Sequence, residues 1–128
     1  METETAEITI NRPETEVWPL VGDFGGLGWM PGVDSCTVDG DVRTVAMSGM
    51  EIKEKLVSLD EENHEITYSI IDGAPVESHQ ATISVTPAGD GCEVTWSVTA
   101  APDGSAAFLK DLYQGALEAL KNKAESAA

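Results

Sequence analysis

The sequence is poor in basic residues, and this shortage limits the partners that the protein can have. Its 128 residues include 7 Lys and Arg against 23 Asp and Glu, which gives a formal net charge of −16 at pH 7. A surface with this excess of negative charge repels phosphate groups. We therefore expect neither nucleic acid nor an anionic membrane as a partner.

Cysteine and histidine occur only twice each, which leaves few ligands for a metal. Cys36 and Cys92 belong to no CxxC motif or Cys/His cluster, so two reduced cysteines are expected. No GxSxG, GxxxxGK[ST] or HExxH motif is present, and the glycines of GDFGGLG follow a predicted helix rather than a strand. The sequence therefore predicts no metal and no cofactor.

Long hydrophobic runs are also missing. No stretch approaches the roughly 18 apolar residues of a membrane-spanning helix. The acidic start METETAEITI has neither the basic nor the apolar region of a signal peptide. Length and even composition predict a single domain over residues 1–128. We expect a cytoplasmic monomer or weak homodimer without a membrane span.

The spacing of apolar residues predicts an order of elements. Residues 6–10 alternate and form a first strand, a helix begins at Pro13 and runs to about residue 24, and Leu27 to Met30 form a second short helix. Apolar residues from Leu109 to Leu120 recur at helical spacing, which predicts a C-terminal helix of about 20 residues. Between the helices, period-two patterns separated by turn residues predict six strands, at 33–39, 42–48, 51–59, 65–71, 78–87 and 91–100.

This order predicts an α+β fold in which one long helix covers an antiparallel sheet. Consecutive strands joined by short turns form a meander, and the amphipathic helix must bury the apolar face of that meander. A strongly curved sheet that holds one helix leaves space between the two layers. A ligand would bind in that space.

Three segments of the chain look familiar: RPETEVWPLVGDFGGLGWMPGV, EIKEKLVSLDEENHEITYSII and CEVTWSV. They resemble the START-like (SRPBCC) superfamily, and the resemblance covers almost the whole chain. The superfamily contains the birch-pollen-allergen type and the abscisic-acid receptors, and this chain most resembles its bacterial polyketide cyclase/dehydrase-like branch. The resemblance implies the helix-grip fold: a curved seven-stranded antiparallel sheet wrapped around a long C-terminal helix, with two short helices after strand 1. It also implies a deep cavity between sheet and helix.

Glu54 is the residue that breaks the pattern of its strand, because it lies on the apolar face between Ile52 and Leu56. A hairpin across Ser48-Gly49 would place Val45 opposite Glu54 and Arg43 one diagonal away on the same face. The two charges could form a buried ion pair that fixes the register of the sheet. They could instead orient a ligand, or Glu54 could act as a general base.

The resemblance places Glu54 in the cavity wall and Ser48-Gly49-Met50 at the cavity mouth. His79 is then either a polar residue at the rim or an acid/base group. The resemblance and the alternation of faces together give a set of candidate ligand-binding residues: Trp29, Met30, Arg43, Val45, Met47, Met50, Glu54, Leu56, Tyr68, Ile70, His79, Ala81, Ile83, Trp96, Phe108, Leu112 and Ala116.

Three functions are compatible with these residues. The first is binding of a small hydrophobic molecule such as a polyketide, a lipid or an aromatic metabolite, because the inward set is apolar with few polar groups. The second is a polyketide cyclase or dehydratase with Glu54 and His79 as catalytic residues. The third is an interaction module of the toxin–antitoxin kind, in which the acidic surface meets a basic partner.

Overall fold

Seven strands and two helices make up residues 2–126, the part of the chain that this computed structural model describes. In chain order these elements are β1 (Glu2–Ile10), α1 (Glu14–Val21), β2 (Val33–Asp39), β3 (Val42–Met47), β4 (Met50–Asp60), β5 (Glu65–Asp72), β6 (Ser78–Ala88), β7 (Gly91–Ala101) and α2 (Ser105–Ser126).

All seven strands form one antiparallel sheet in the order β1-β7-β6-β5-β4-β3-β2. Neighbours in the sheet are neighbours in sequence, except that β1 pairs with the last strand. The long helix α2 packs on β1 and β7, at one end of the sheet. The predicted seven-stranded sheet and long C-terminal helix are therefore confirmed, and no helix within residues 2–126 is both long and apolar enough to cross a membrane.

The inner face of α2 carries the residues that hold it on the sheet. Leu109, Tyr113, Ala116, Leu117 and Leu120 are buried at the spacing of one helical face. Two polar side chains of α2 also cover the free edge of β1. The amide of Gln114 donates to the carbonyl oxygen of Glu7, and Lys121 donates to that of Thr9. An edge strand with satisfied carbonyl groups is a poor template for pairing with another chain.

The segment after β1 contains one short helix, so the prediction of two is wrong. Helix α1 begins at Glu14 and ends at Val21, because Pro13 has an extended backbone and Gly22 follows as the C-cap. The segment Leu27 to Met30 is a turn, closed by a hydrogen bond from the Met30 amide to the Leu27 carbonyl. Glycines on both sides disfavour a helix of only four residues there.

The hairpin of β3 and β4 turns one residue earlier than the predicted strands 42–48 and 51–59 imply. Ser48 and Gly49 both have positive φ, which is typical of a two-residue hairpin turn, and Met47 pairs with Met50. Arg43 therefore lies directly opposite Glu54, and Val45 lies opposite Ile52. The expectation of Val45 opposite Glu54 is wrong by two residues, and the correct register brings the two charges together.

Irregular pairing surrounds β5. The register between β4 and β5 shifts twice, which leaves Val57 and Ile71 without partners on the exposed face of the sheet. On its other side, β5 pairs with β6 only from Glu65 to Tyr68. Beyond Tyr68 these two strands separate, whereas β6 stays paired with β7 along its whole length. The sheet is thus open at one end between β5 and β6.

Candidate functional site

A cavity of about 590 Å³ lies between the sheet and α2. Its floor comes from strands β3 to β7, its cover from α2, and its mouth from the loops around Met30, Ser48 and Ala74. Most lining side chains are apolar. Thirteen of the predicted ligand-binding residues line the cavity: Trp29, Met30, Arg43, Val45, Met47, Met50, Glu54, Tyr68, Ile70, Ile83, Trp96, Phe108 and Leu112.

Four predicted residues lie off the cavity wall: Leu56, His79, Ala81 and Ala116. His79 is buried, and its Nε2 is hydrogen-bonded to the hydroxyl of Tyr113, which does line the cavity. Ala81 has Tyr68 and Val98 as its cross-strand partners, and its methyl group is buried among larger neighbours. Leu56 lies beside the bulge at Val57, and Ala116 is buried where α2 packs on the sheet.

The cavity also contains residues that the sequence did not point to. Tyr113 and Leu109 line it from α2, but their helical spacing is the same as that of ordinary core residues. The turns of the chain add further rim residues, namely Ala74, Pro75, Val76, Asp103, Gly104 and Ser105. No periodic pattern marks loop residues, so only the three-dimensional arrangement identifies them.

Gly73 fixes one side of the mouth. Its φ of +90° is in the left-handed region, and a Cβ at this position would overlap the carbonyl oxygen of Glu51 on β4. Only glycine permits so close an approach of the two backbones. The rim residues Ala74 to Val76 follow directly, so their position depends on this contact.

Arg43 and Glu54 form a charged pair in the cavity wall. The guanidinium Nε donates to Glu54 Oε1 at 2.8 Å, and Nη1 donates to the carbonyl oxygen of Phe24 at 2.8 Å. The guanidinium carbon also lies 4.5 Å from the ring centre of Phe24 and 4.8 Å from that of Tyr68. Arg43 is thus held by a carboxylate, a carbonyl and two aromatic faces.

Glu54 keeps one oxygen for other partners. Its Oε1 accepts from Arg43, while Oε2 makes no hydrogen bond to any group within residues 2–126. Burial raises the pKa of this carboxyl, and Arg43 opposes the rise through its charge and its hydrogen bond. A carboxyl group with a raised pKa and a free oxygen at a cavity wall can bind a hydroxyl group or exchange a proton.

His79 is fixed as a neutral imidazole. The Ile70 amide donates to His79 Nδ1 at 3.0 Å, at the point where the β5–β6 ladder has ended. Nδ1 is therefore the acceptor, so the proton of the neutral ring is on Nε2, which donates to the Tyr113 hydroxyl at 3.0 Å. Burial lowers the pKa of His79 to about 4. A neutral ring with both nitrogens occupied is a poor proton donor or acceptor for a ligand.

The residues within 2–126 contain no group of three or more His, Cys, Asp or Glu side chains arranged to hold a metal ion. Both cysteines in that range are free thiols, with Cys92 buried and Cys36 half-buried.

Comparison with known proteins places this geometry in a family. The family model described as "Polyketide cyclase / dehydrase and lipid transport" matches residues 1–125. Among curated protein sequences there is no match. The structure is similar to an uncharacterized protein from Bacillus thuringiensis, with 29% identity, a TM-score of 0.88, and coverage of 95% of this chain and 98% of that one.

Two further solved structures show the same fold. The protein XoxI from Bacillus cereus is 30% identical, with a TM-score of 0.86 and coverage of 96% of this chain and 95% of its own. Norcoclaurine synthase from Thalictrum flavum, in complex with dopamine and hydroxybenzaldehyde, is 18% identical, with a TM-score of 0.76 and coverage of 99% and 88%. At that identity the likeness to the synthase establishes the fold alone.

Replacing Arg43 by Met leaves the Glu54 carboxylate buried without its cation. We expect Arg43→Met to lower the free energy of unfolding by about 3 kcal/mol or more. The double variant Arg43→Met/Glu54→Met removes both charges and should recover most of that loss. Urea unfolding of the three proteins measures the difference, and a double variant no more stable than Arg43→Met would contradict this view of the pair.

His79 makes stability depend on pH. The unfolded chain binds a proton at this residue with a pKa near 6.5, whereas the folded protein binds it only near pH 4. Its contribution is therefore complete above pH 6.5 and decreases by up to about 3 kcal/mol as the pH falls to 4. Urea unfolding between pH 4 and 7 should show a shallower pH dependence for His79→Gln than for the wild type, and parallel curves would disprove the assignment.

Proposed function

Because the chain belongs to the polyketide cyclase / dehydrase and lipid transport family, we propose that it binds a small hydrophobic molecule, such as a polyketide, a lipid or an aromatic metabolite, in the cavity between the sheet and α2. The observation that carries this proposal is the cavity itself. Its volume of about 590 Å³ lies within the range of drug-sized ligand sites.

The composition of the wall supports the same function. Methionine, aliphatic and aromatic side chains make up most of it, and its buried charges form a neutral pair of Arg43 and Glu54. An apolar ligand that enters releases the cavity water and gains contact with this surface. The few polar groups then fix its orientation.

The mouth lies beside apolar side chains that are accessible from outside. Phe108 and Leu112 on α2 and Met50 after the Ser48–Gly49 turn all line the cavity, and all three are exposed. Large apolar side chains on a surface are a cost in water unless they serve contact with another molecule. At this mouth they give an approaching hydrophobic ligand its first contacts.

Two Val→Phe variants test the binding site. Val45 lines the cavity and is 3% exposed, whereas Val57 is on the outer face and is 52% exposed. We expect the wild type and Val57→Phe to bind the neutral fluorescent probe N-phenyl-1-naphthylamine, and Val45→Phe, whose ring occupies part of the cavity, to bind it about tenfold more weakly. Fluorescence titration measures the dissociation constants. Equal affinities for the two variants would place the probe elsewhere.

A second candidate function is the cyclase or dehydratase reaction, favoured by the free oxygen and raised pKa of Glu54. In an intramolecular aldol reaction, Glu54 would take the proton from a carbon next to a ketone. The resulting enolate carbon would attack a second ketone of the same molecule. The new alkoxide would then recover the proton from Glu54, and loss of water would complete a dehydration.

Proton exchange tests this candidate without knowledge of the natural substrate. If Glu54 acts as a base, the wild type should exchange the α-protons of 1-tetralone with D₂O about 100-fold faster than Glu54→Gln does. Proton NMR measures the exchange, and probe binding confirms that the variant keeps its cavity. Equal exchange in both proteins would remove Glu54 as a base and would leave ligand binding unaffected.

A further inference from the structure

An aromatic cluster of Trp96, Tyr113 and Tyr68 lines the cavity between the sheet and α2. Trp96 and Tyr113 stack with ring centres 4.0 Å apart and an interplanar angle of 5°. Tyr68 is next to both, since Trp96 Nε1 donates to the Tyr68 hydroxyl at 3.2 Å and the two phenols shift one another's pKa. All three residues line the cavity and are buried.

The hydrogen bonds of this cluster leave a proton without an acceptor. Tyr68 Oη accepts from Trp96, and Tyr113 Oη accepts from His79, whose Nε2 must be the donor because Nδ1 accepts from Ile70. Each phenol also has its own hydroxyl proton. If one phenol donates to the other, the second proton has no partner within residues 2–126. The cluster therefore has at least one more donor than it can satisfy internally.

Each of the two phenols has a proton to donate near neutral pH. Burial is the main cause that raises the pKa of both hydroxyls, and the charge of Glu54 raises both further. Tyr68 and Tyr113 thus retain their protons. A buried O–H group that faces a cavity is satisfied when a ligand or a water molecule brings an oxygen acceptor to it.

Glu54 provides a hydrogen-bond acceptor on the same cavity wall. Tyr68 is the cross-strand partner of Leu56, two residues from Glu54 on the same face, so the two side chains are diagonal neighbours. Among the groups of residues 2–126, Glu54 Oε2 is an acceptor without a partner, whereas the phenol pair has a donor without a partner. The wall therefore presents one donor and one acceptor side by side in apolar surroundings.

We propose, on the basis of the proposed function, that the cavity selects neutral ligands that carry both a carbonyl oxygen and a hydroxyl group. The carbonyl oxygen accepts from Tyr68 or Tyr113, and the hydroxyl group donates to Glu54. Hydroxylated aryl ketones are the simplest members of this class. Carboxylate ligands are excluded, because Arg43 is already bound to Glu54 and Phe24 and the free oxygen of Glu54 repels a second anion.

Four molecules of similar shape test the carbonyl contact and the hydroxyl contact separately. Diphenylmethane has neither group, benzophenone has the carbonyl, 4-benzylphenol has the hydroxyl, and 4-hydroxybenzophenone has both. Displacement of N-phenyl-1-naphthylamine from the wild type gives their affinities. We expect benzophenone and 4-benzylphenol each to bind about five- to tenfold more tightly than diphenylmethane, and 4-hydroxybenzophenone to bind most tightly.

Protein variants show which side chain causes each gain in affinity. Glu54→Gln should reduce the gain from the hydroxyl group, and the double variant Tyr68→Phe/Tyr113→Phe should remove the gain from the carbonyl. Diphenylmethane is the matched control, because its affinity should change little in either variant. As a check that does not depend on folding of the double variant, the infrared carbonyl stretch of benzophenone bound to the wild type should lie below its value in hexane.

The outcomes separate the two proposals. If all four molecules bind with equal affinity and the carbonyl stretch is that of hexane, the selection by donor and acceptor is wrong, and hydrophobic binding stands. If none of the four molecules nor the fluorescent probe binds, the proposed function itself fails and the selectivity fails with it. A graded series with the expected losses in the variants supports both.

Discussion

The ion pair of Arg43 and Glu54 is the contact on which the cavity wall depends. It joins β3 to β4, holds the loop after α1 through the Phe24 carbonyl, and packs against the ring of Tyr68 on β5. A buried charge pair of this kind adds little net stability, but loss of one member is costly. Its effect is therefore to specify one arrangement of these segments, and that arrangement leaves one carboxylate oxygen at the cavity. The structural role of the pair is therefore compatible with the proposed binding role of Glu54.

Charge is distributed very differently outside and inside the protein. The net charge of −16 belongs to the whole chain, whereas the buried charges at the cavity wall cancel as one pair. Asp103 adds a negative group to the rim. Anions are repelled by the surface before they reach a wall that offers no unpaired cation. A neutral molecule meets neither barrier, which is consistent with the proposal of a neutral ligand.

Much of the fold could be predicted from the sequence, because the strands and the C-terminal helix are strongly amphipathic. Apolar residues recur with a period of two in the strands and at helical spacing in the long helix. The second short helix was predicted wrongly at Leu27 to Met30, where glycine outweighs the apolar pattern. The site was harder to predict. The alternation of apolar and polar residues identifies the inward face of a strand, and it identified Glu54, Tyr68 and Trp96 as inward-facing residues. It cannot say which inward residue borders the cavity, so His79 was assigned to the cavity although it does not line it.

The end of the β5–β6 ladder at Tyr68 has a mechanical consequence. Every other pair of neighbouring strands within residues 2–126 is paired over a longer stretch. Beyond Tyr68 the Ile70 amide donates to an imidazole nitrogen, that of His79, rather than to the backbone of β6. The sheet thus has a seam at one end, closed by a side chain rather than by backbone. Separation of two neighbouring strands at this place would break the fewest backbone hydrogen bonds in the sheet. The aromatic cluster lies beside this seam, since Tyr68 ends the ladder and Tyr113 is hydrogen-bonded to His79, so the packing of the cluster helps to hold this end of the sheet together.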